Sequence, residues 1–131
     1  MGPVWINGTK PGMTLVVHII DIQVHAKGFI KKWIVPIEKG VINFHGFKIN
    51  IKLVIGVIGV AQAEGNIPGD HGGNLDGSDI TIGSKVYLPI QVEGALFGVG
   101  DAHAIQGDGE VGVKVLKYLQ RSLSNLNYFL I

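Results

Sequence analysis

Glycine limits what this chain can fold into more than any other residue. Twenty of the 131 residues are glycine. They follow no Gly-X-Y repeat, so a collagen-like helix is excluded. Instead they punctuate short runs rich in valine and isoleucine. A glycine inside a helix costs about 1 kcal/mol relative to alanine. Short β-branched runs between glycine turns are the writing of a β-rich domain. Hydrophobic residues make up 47% and charged residues 16%, enough to bury a core, and one domain is expected at this length.

The runs can be placed along the chain. In "TLVVHIIDIQVH" (14–25) the polar positions His18, Asp21 and Gln23 miss helical spacing, so a strand is expected. "FIKKWIVPI" (29–37) reads as a second strand, with Pro36 marking its end at an edge or bulge. "VINFHGFKINIKLVIGVIGVA" (41–61) reads as a hairpin turning at His45-Gly46, its return continuing into a buried run. Residues 81–100 have the same texture. The tail differs: Leu116, Leu119, Leu123, Leu126 and Leu130 recur at steps of three and four, which predicts an amphipathic helix. The expected architecture is mainly β, a Gly-rich β-sandwich or barrel-like core over 1–112, with a divergent helical tail over 113–131.

Charge and composition narrow the partners. A formal net charge of +1 points neither to nucleic acid nor to an anionic membrane. No run approaches the roughly 18 apolar residues of a membrane-spanning helix. "MGPVWING" lacks a basic region followed by an apolar run, so no signal peptide is read and a cytoplasmic location is expected. The chain has no cysteine, so a bound metal would be held by histidine and carboxylate. There is no Gly-x-Ser-x-Gly elbow, P-loop or dinucleotide fingerprint.

Two stretches concentrate ionisable chemistry. "GNIPGDHGGNLDGSD" (65–79) sets His71 before paired glycines, then Asn74 and Asp76. Glycines after a histidine let backbone pass close to a ligand or ion; an ordinary Gly/Asn/Asp turn is the plainer reading. "GDAHAIQGDGE" (100–110) holds three carboxylates and a histidine. On extended backbone, residues i and i+2 share a face, so Asp101 projects with His103 and Asp108 with Glu110. That suits a carboxylate and an imidazole sharing one metal, with a second carboxylate left to handle protons.

At these stretches the chain resembles a known family. "HGGNLDGSDITIGSKVYLPIQVEGALFGVGDAHAIQGDGEV" (71–111) is similar to the acetamidase/formamidase family, in which His-Gly-Gly-Asn-x-Asp precedes Leu-Pro, Glu-Gly-Ala-Leu-Phe, Gly-Asp-x-His-Ala and Gly-Asp-Gly-Glu. "GPVWINGTKPGMTLVVHIIDI" (2–22) and "IGVIGVA" (55–61) look like upstream parts of it. The resemblance covers residues 2–112 and implies an internal part of longer family chains, truncated at both ends. It implies hydrolysis of short carboxamides such as formamide and acetamide, with a divalent metal, zinc being the first expectation. Carried over by position, the site residues are His71, Asn74, Asp76, Asp101, His103 and Glu110. His71, Asp101 and His103 are expected at the metal, Asn74 and Asp76 at the substrate, and Glu110 as the proton-transferring group.

The competing expectation is a non-catalytic, β-rich fragment of such an amidase that acts only by self-association. Sheet edges and the leucine face of the tail would need a partner surface, so a homodimer or larger homo-oligomer is expected. A preference for cyclic amides is a third possibility within the same family.

Overall fold

β1 (Thr14–Ile19) shows the alternation expected of a half-buried strand: Leu15, Val17 and Ile19 point into the core, while Thr14 and Val16 face out. Each such aliphatic side chain contributes about 1.5–3 kcal/mol when buried. The computed structural model describes residues 2–23, 26–30, 33–65, 69–108, 116–118 and 129–130. The strand ends at Ile19, well before residue 25.

The single strand expected over 29–37 is two. β2 (Lys27–Ile30) and β3 (Trp33–Glu38) pair antiparallel, with Ile30 opposite Trp33. In the sequence, Lys31 and Lys32 are a polar break between two apolar runs. Pro36 lies inside β3, opposite Lys27. Pairing of β3 to β4 (Val41–Phe44) covers only Ile37–Ile42 and Glu38–Val41, so the ladder stops just before the residue that has no N–H to give.

The hairpin at His45-Gly46 forms as its sequence suggests. Phe44 faces Phe47 across it, and His45 (φ 50°) and Gly46 (φ 86°) both take positive φ, as a type I′ turn requires. Lys39 and Gly40 do the same between β3 and β4, at 49° and 75°. The expected continuation of the return strand does not occur. β5 (Phe47–Asn50) ends, and β6 (Val54–Gly59) pairs near the far side of the sheet.

The remaining strands are β7 (Gly72–Asn74), β8 (Lys85–Pro89), β9 (Gly98–Ile105), β10 (Leu116–Tyr118) and β11 (Phe129–Leu130). One sheet has the order β11-β1-β8 and the other β5-β4-β3-β2-β10-β9-β6-β7. Every described pairing is antiparallel. Leu15, Val17, Ile19 and Leu88 of the smaller sheet join Val35, Ile37, Ile42, Ile55, Ile58 and Val99 of the larger in one buried cluster. The protein is therefore mainly β and sandwich-like. Among the described residues there is no helix, and none long and apolar enough to cross a membrane. In the span expected to be helical, residues 116–118 and 129–130 are paired strands; residues 113–115, 119–128 and 131 lie outside the described set.

Candidate functional site

β6 and β9 run side by side in one register, with Val54 opposite His103, Ile55 opposite Ala102 and Val57 opposite Gly100. At the position between, where Gly56 faces Asp101, the ladder opens. Asp101 has a φ of 48°, a left-handed value that costs a non-glycine residue roughly 1–3 kcal/mol. Aspartate is among the residues that tolerate it best. Two strand positions further on, His103 is fully buried, and its Nε2 lies 3.3 Å from Asp101 Oδ2.

The third member arrives from the loop after β7. The amides of Leu75 and Asp76 both donate to the carbonyl of Gly56, at 2.9 and 3.0 Å. Asp76, itself at φ 46°, is thereby turned towards β9, and its Oδ1 stands 4.0 Å from His103 Nε2. Asn74 donates to Asp76 Oδ2 at 2.6 Å. Asp76 Oδ1 is buried and, among the described residues, has no hydrogen-bond partner. A buried carboxylate oxygen left this way costs free energy unless a cation or proton compensates it.

Gly56 makes this convergence possible. A Cβ there would fall 2.6 Å from Asp76 Oδ1, 2.8 Å from the Asp101 carbonyl oxygen and 3.0 Å from His103 Cε1. No side chain fits in the centre of the cluster. The paired glycines after His71 also make a close contact within the sheet. A Cβ on Gly72 would lie 2.3 Å from the Ile58 carbonyl oxygen, and one on Gly59 would meet Gly73 N at 2.9 Å. What they admit is the backbone of the neighbouring strand.

Behind His103 sits Gln106, buried among the same residues. Its side-chain amide donates to the carbonyl of Asp76, and its oxygen meets His103 Nδ1. A cavity of about 450 Å³ opens beside the cluster, with His71, Asp101, Gln62, Val57, Val99 and Leu96 on its wall. Leu96 is held there by three successive left-handed residues, Gly94, Ala95 and Leu96, at φ 75°, 55° and 53°. The Ala95 carbonyl in that run accepts from Ala61 N at 2.8 Å.

The structure thus brings Asp76, Asp101 and His103 together, with one ligand atom from each lying within 4.8 Å of the others. His71 is buried on the cavity wall and is not a member of that group. Asn74 orients Asp76. Glu110 lies outside the described residues. Gly56 and Gln106 were not singled out in the sequence. A glycine interrupting the apolar run "VIGVIG" does signal a close approach to a strand, but a glutamine three residues after a histidine signals nothing.

An ion bound at about 2.0–2.2 Å to nitrogen and oxygen ligands keeps those ligands roughly 3–4 Å apart. The separations of 3.3 and 4.0 Å from His103 Nε2, an Asp76 Oδ1 without a hydrogen-bond partner among the described residues and the glycine-lined centre all fit a divalent cation.

Residues 57–115 match the model of the Acetamidase/Formamidase family, and the chain resembles an internal part of that family. A formamidase of Methylophilus methylotrophus is 50% identical over 44 residues, 34% of this chain and 11% of that protein. The crystal structure of an acetamidase from Bacillus halodurans superposes with a TM-score of 0.77 at 35% identity, covering 88% of this chain and 47% of that one. A predicted acetamidase/formamidase from Thermoanaerobacter tengcongensis gives 0.78 at 39% identity, covering 88% and 46%. The chain spans less than half the length of these solved relatives.

Proposed function

Because the chain resembles an internal segment of the acetamidase/formamidase family, we propose that it takes part in the hydrolysis of short carboxamides such as formamide and acetamide, yielding carboxylate and ammonia. The observation that carries this reading is the meeting of Asp76, Asp101 and His103 beside a cavity large enough for a small amide.

An amide resists water because the nitrogen lone pair stabilises the carbonyl and the amine leaves poorly. A catalyst must activate water, stabilise the oxyanion and protonate the nitrogen. Asp76, Asp101 and His103 would hold the cation, with zinc the first choice for a set of one imidazole and two carboxylates. When bound, such an ion polarises a carbonyl and makes a nearby water more acidic. The assignments of Asp76 and His71 are then exchanged relative to the sequence reading: Asp76 joins the cation ligands, and His71 faces the amide from the cavity wall. Asn74 holds the Asp76 carboxylate in place. Asp101, which lines the cavity and also touches His103, links the two regions. The proton-transferring role is assigned, from the sequence resemblance, to Glu110.

Ammonia release from formamide and acetamide, measured with added zinc and again with a chelator, tests the proposal. Zinc-stimulated, chelator-sensitive turnover is expected; none in either condition defeats it for this chain.

One observation favours the scaffold reading. Phe47 and Ile49 face the same side of the sheet as the buried Ile42, because cross-strand partners share a face. Yet they are 72% and 38% exposed. A core-facing aromatic left uncovered at an edge strand suits burial against another polypeptide, and a second copy of this chain is the partner we propose.

A further inference from the structure

The orientation of His103 is decided by a residue that touches neither the cavity nor the carboxylates. The Asp76 carbonyl oxygen can only accept a hydrogen bond, so the group of Gln106 facing it must be the amide nitrogen. The Gln106 oxygen is then the group in contact with His103 Nδ1. An amide oxygen also only accepts. Nδ1 must therefore carry the ring proton, and in a neutral imidazole Nε2 then bears a lone pair. That lone pair faces Asp101 Oδ2 at 3.3 Å and Asp76 Oδ1 at 4.0 Å.

We propose that Gln106 is a positioning residue: its carboxamide, anchored on the Asp76 backbone, holds His103 as the Nδ1–H tautomer and aims Nε2 at the two carboxylates. The same side chain ties together two members of the cluster that lie far apart in sequence. Burial strengthens the effect, since Gln106 is only 6% exposed and His103 is fully buried, so water does not compete for Nδ1. Partners of this kind behind a ligating histidine fix its tautomer and raise its basicity. For its effect on a cation, the inference rests on the site proposed above; the tautomer assignment does not.

The test is a long-range ¹H–¹⁵N spectrum of the metal-free protein labelled at histidine, recorded over a pH series, with the His103 signals identified by their loss in a His103→Gln variant. The wild-type ring should be protonated on Nδ1. In Gln106→Leu that preference should give way to Nε2–H, the form usually favoured by the histidine side chain in water. A wild-type ring protonated on Nε2 and not on Nδ1 overturns the proposal, as does a folded Gln106→Leu protein with an unchanged tautomer. Should Gln106→Leu not fold, the wild-type spectrum still decides. Titration with zinc alone supplies a separate readout: Gln106→Leu should weaken binding roughly 10–100-fold. A wild-type protein that keeps Nδ1–H but takes no zinc would remove the cation site and leave the positioning role of Gln106 intact.

Discussion

Gly56 and Asp76 exclude any side chain at the former: a Cβ at position 56 would stand 2.6 Å from Asp76 Oδ1. The same atom would press on the Asp101 carbonyl and on the His103 ring. One glycine thus keeps open the space in which all three cluster residues meet. Gly56→Ala should destabilise the fold by about 1–3 kcal/mol, the scale of overpacking in a tight interior, and should weaken zinc binding at least tenfold. Denaturant melts and zinc titration measure the two effects. A mutant as stable as wild type, binding zinc as well, would show that the cluster is looser than its geometry.

Asp76→Asn separates the fold from the site. In the metal-free protein Asp76 Oδ1 is a buried acceptor with no hydrogen-bond partner among the described residues, and neutralising it removes the cost of burying that charge. Stability without metal should be unchanged or raised by about 1 kcal/mol. Zinc, which stabilises whatever folded form it binds, should raise the melting temperature of wild type and not of the variant. Equal shifts in both would take Asp76 out of the ligand set.

His71→Ala should leave zinc affinity within a few-fold of wild type, since this ring lies on the cavity wall and not in the cluster. Amide turnover should fall about 10²-fold if the imidazole assists proton transfer. Parallel zinc titrations and ammonia assays decide it. Loss of zinc along with activity would return His71 to the ligands.

Glu110→Gln keeps the shape of the side chain and removes its base. Turnover should drop roughly 10²–10⁴-fold with zinc binding retained. If the substitution strips the metal, the group belongs to the cation's ligands and its proton-transfer role is wrong.

Phe47→Asp tests association. At 72% exposure, Phe47 contributes little to the fold of one copy, so the melting temperature should hardly change. Light scattering should show a dimer or larger species for wild type and a smaller one for the variant. Identical masses would clear this face of any part in assembly.

Much of this protein was written locally. The strand alternation of β1, the His45-Gly46 turn and the overall β character follow from side-chain period and turn chemistry, which act over a few residues. The contact between Asp101 and His103 agrees with their i, i+2 spacing, and the His-Gly-Gly-Asn-x-Asp and Gly-Asp-x-His motifs carried the family resemblance. The apolar residues of 29–37 read as one strand, yet two strands form there, with Lys31 and Lys32 falling between them in the sequence.

The sequence by itself determined the kind of structure and the chemical vocabulary: β strands cut by glycine, and histidine with carboxylates gathered in two loops. Only the tertiary structure decided which of those groups meet. Asp76 reaches His103 because the Gly56 carbonyl gathers the amides of Leu75 and Asp76, and β6 lies against β9 only through long-range pairing. The meeting of Asp76 with Asp101 and His103, the empty volume kept by Gly56 and the contact of Gln106 with His103 all depend on contacts across tens of residues or on the strand pairing around them. Side-chain period and motif spacing report what neighbours along the chain will do. They carry no record of which strands become neighbours in space, and that is where the site is assembled.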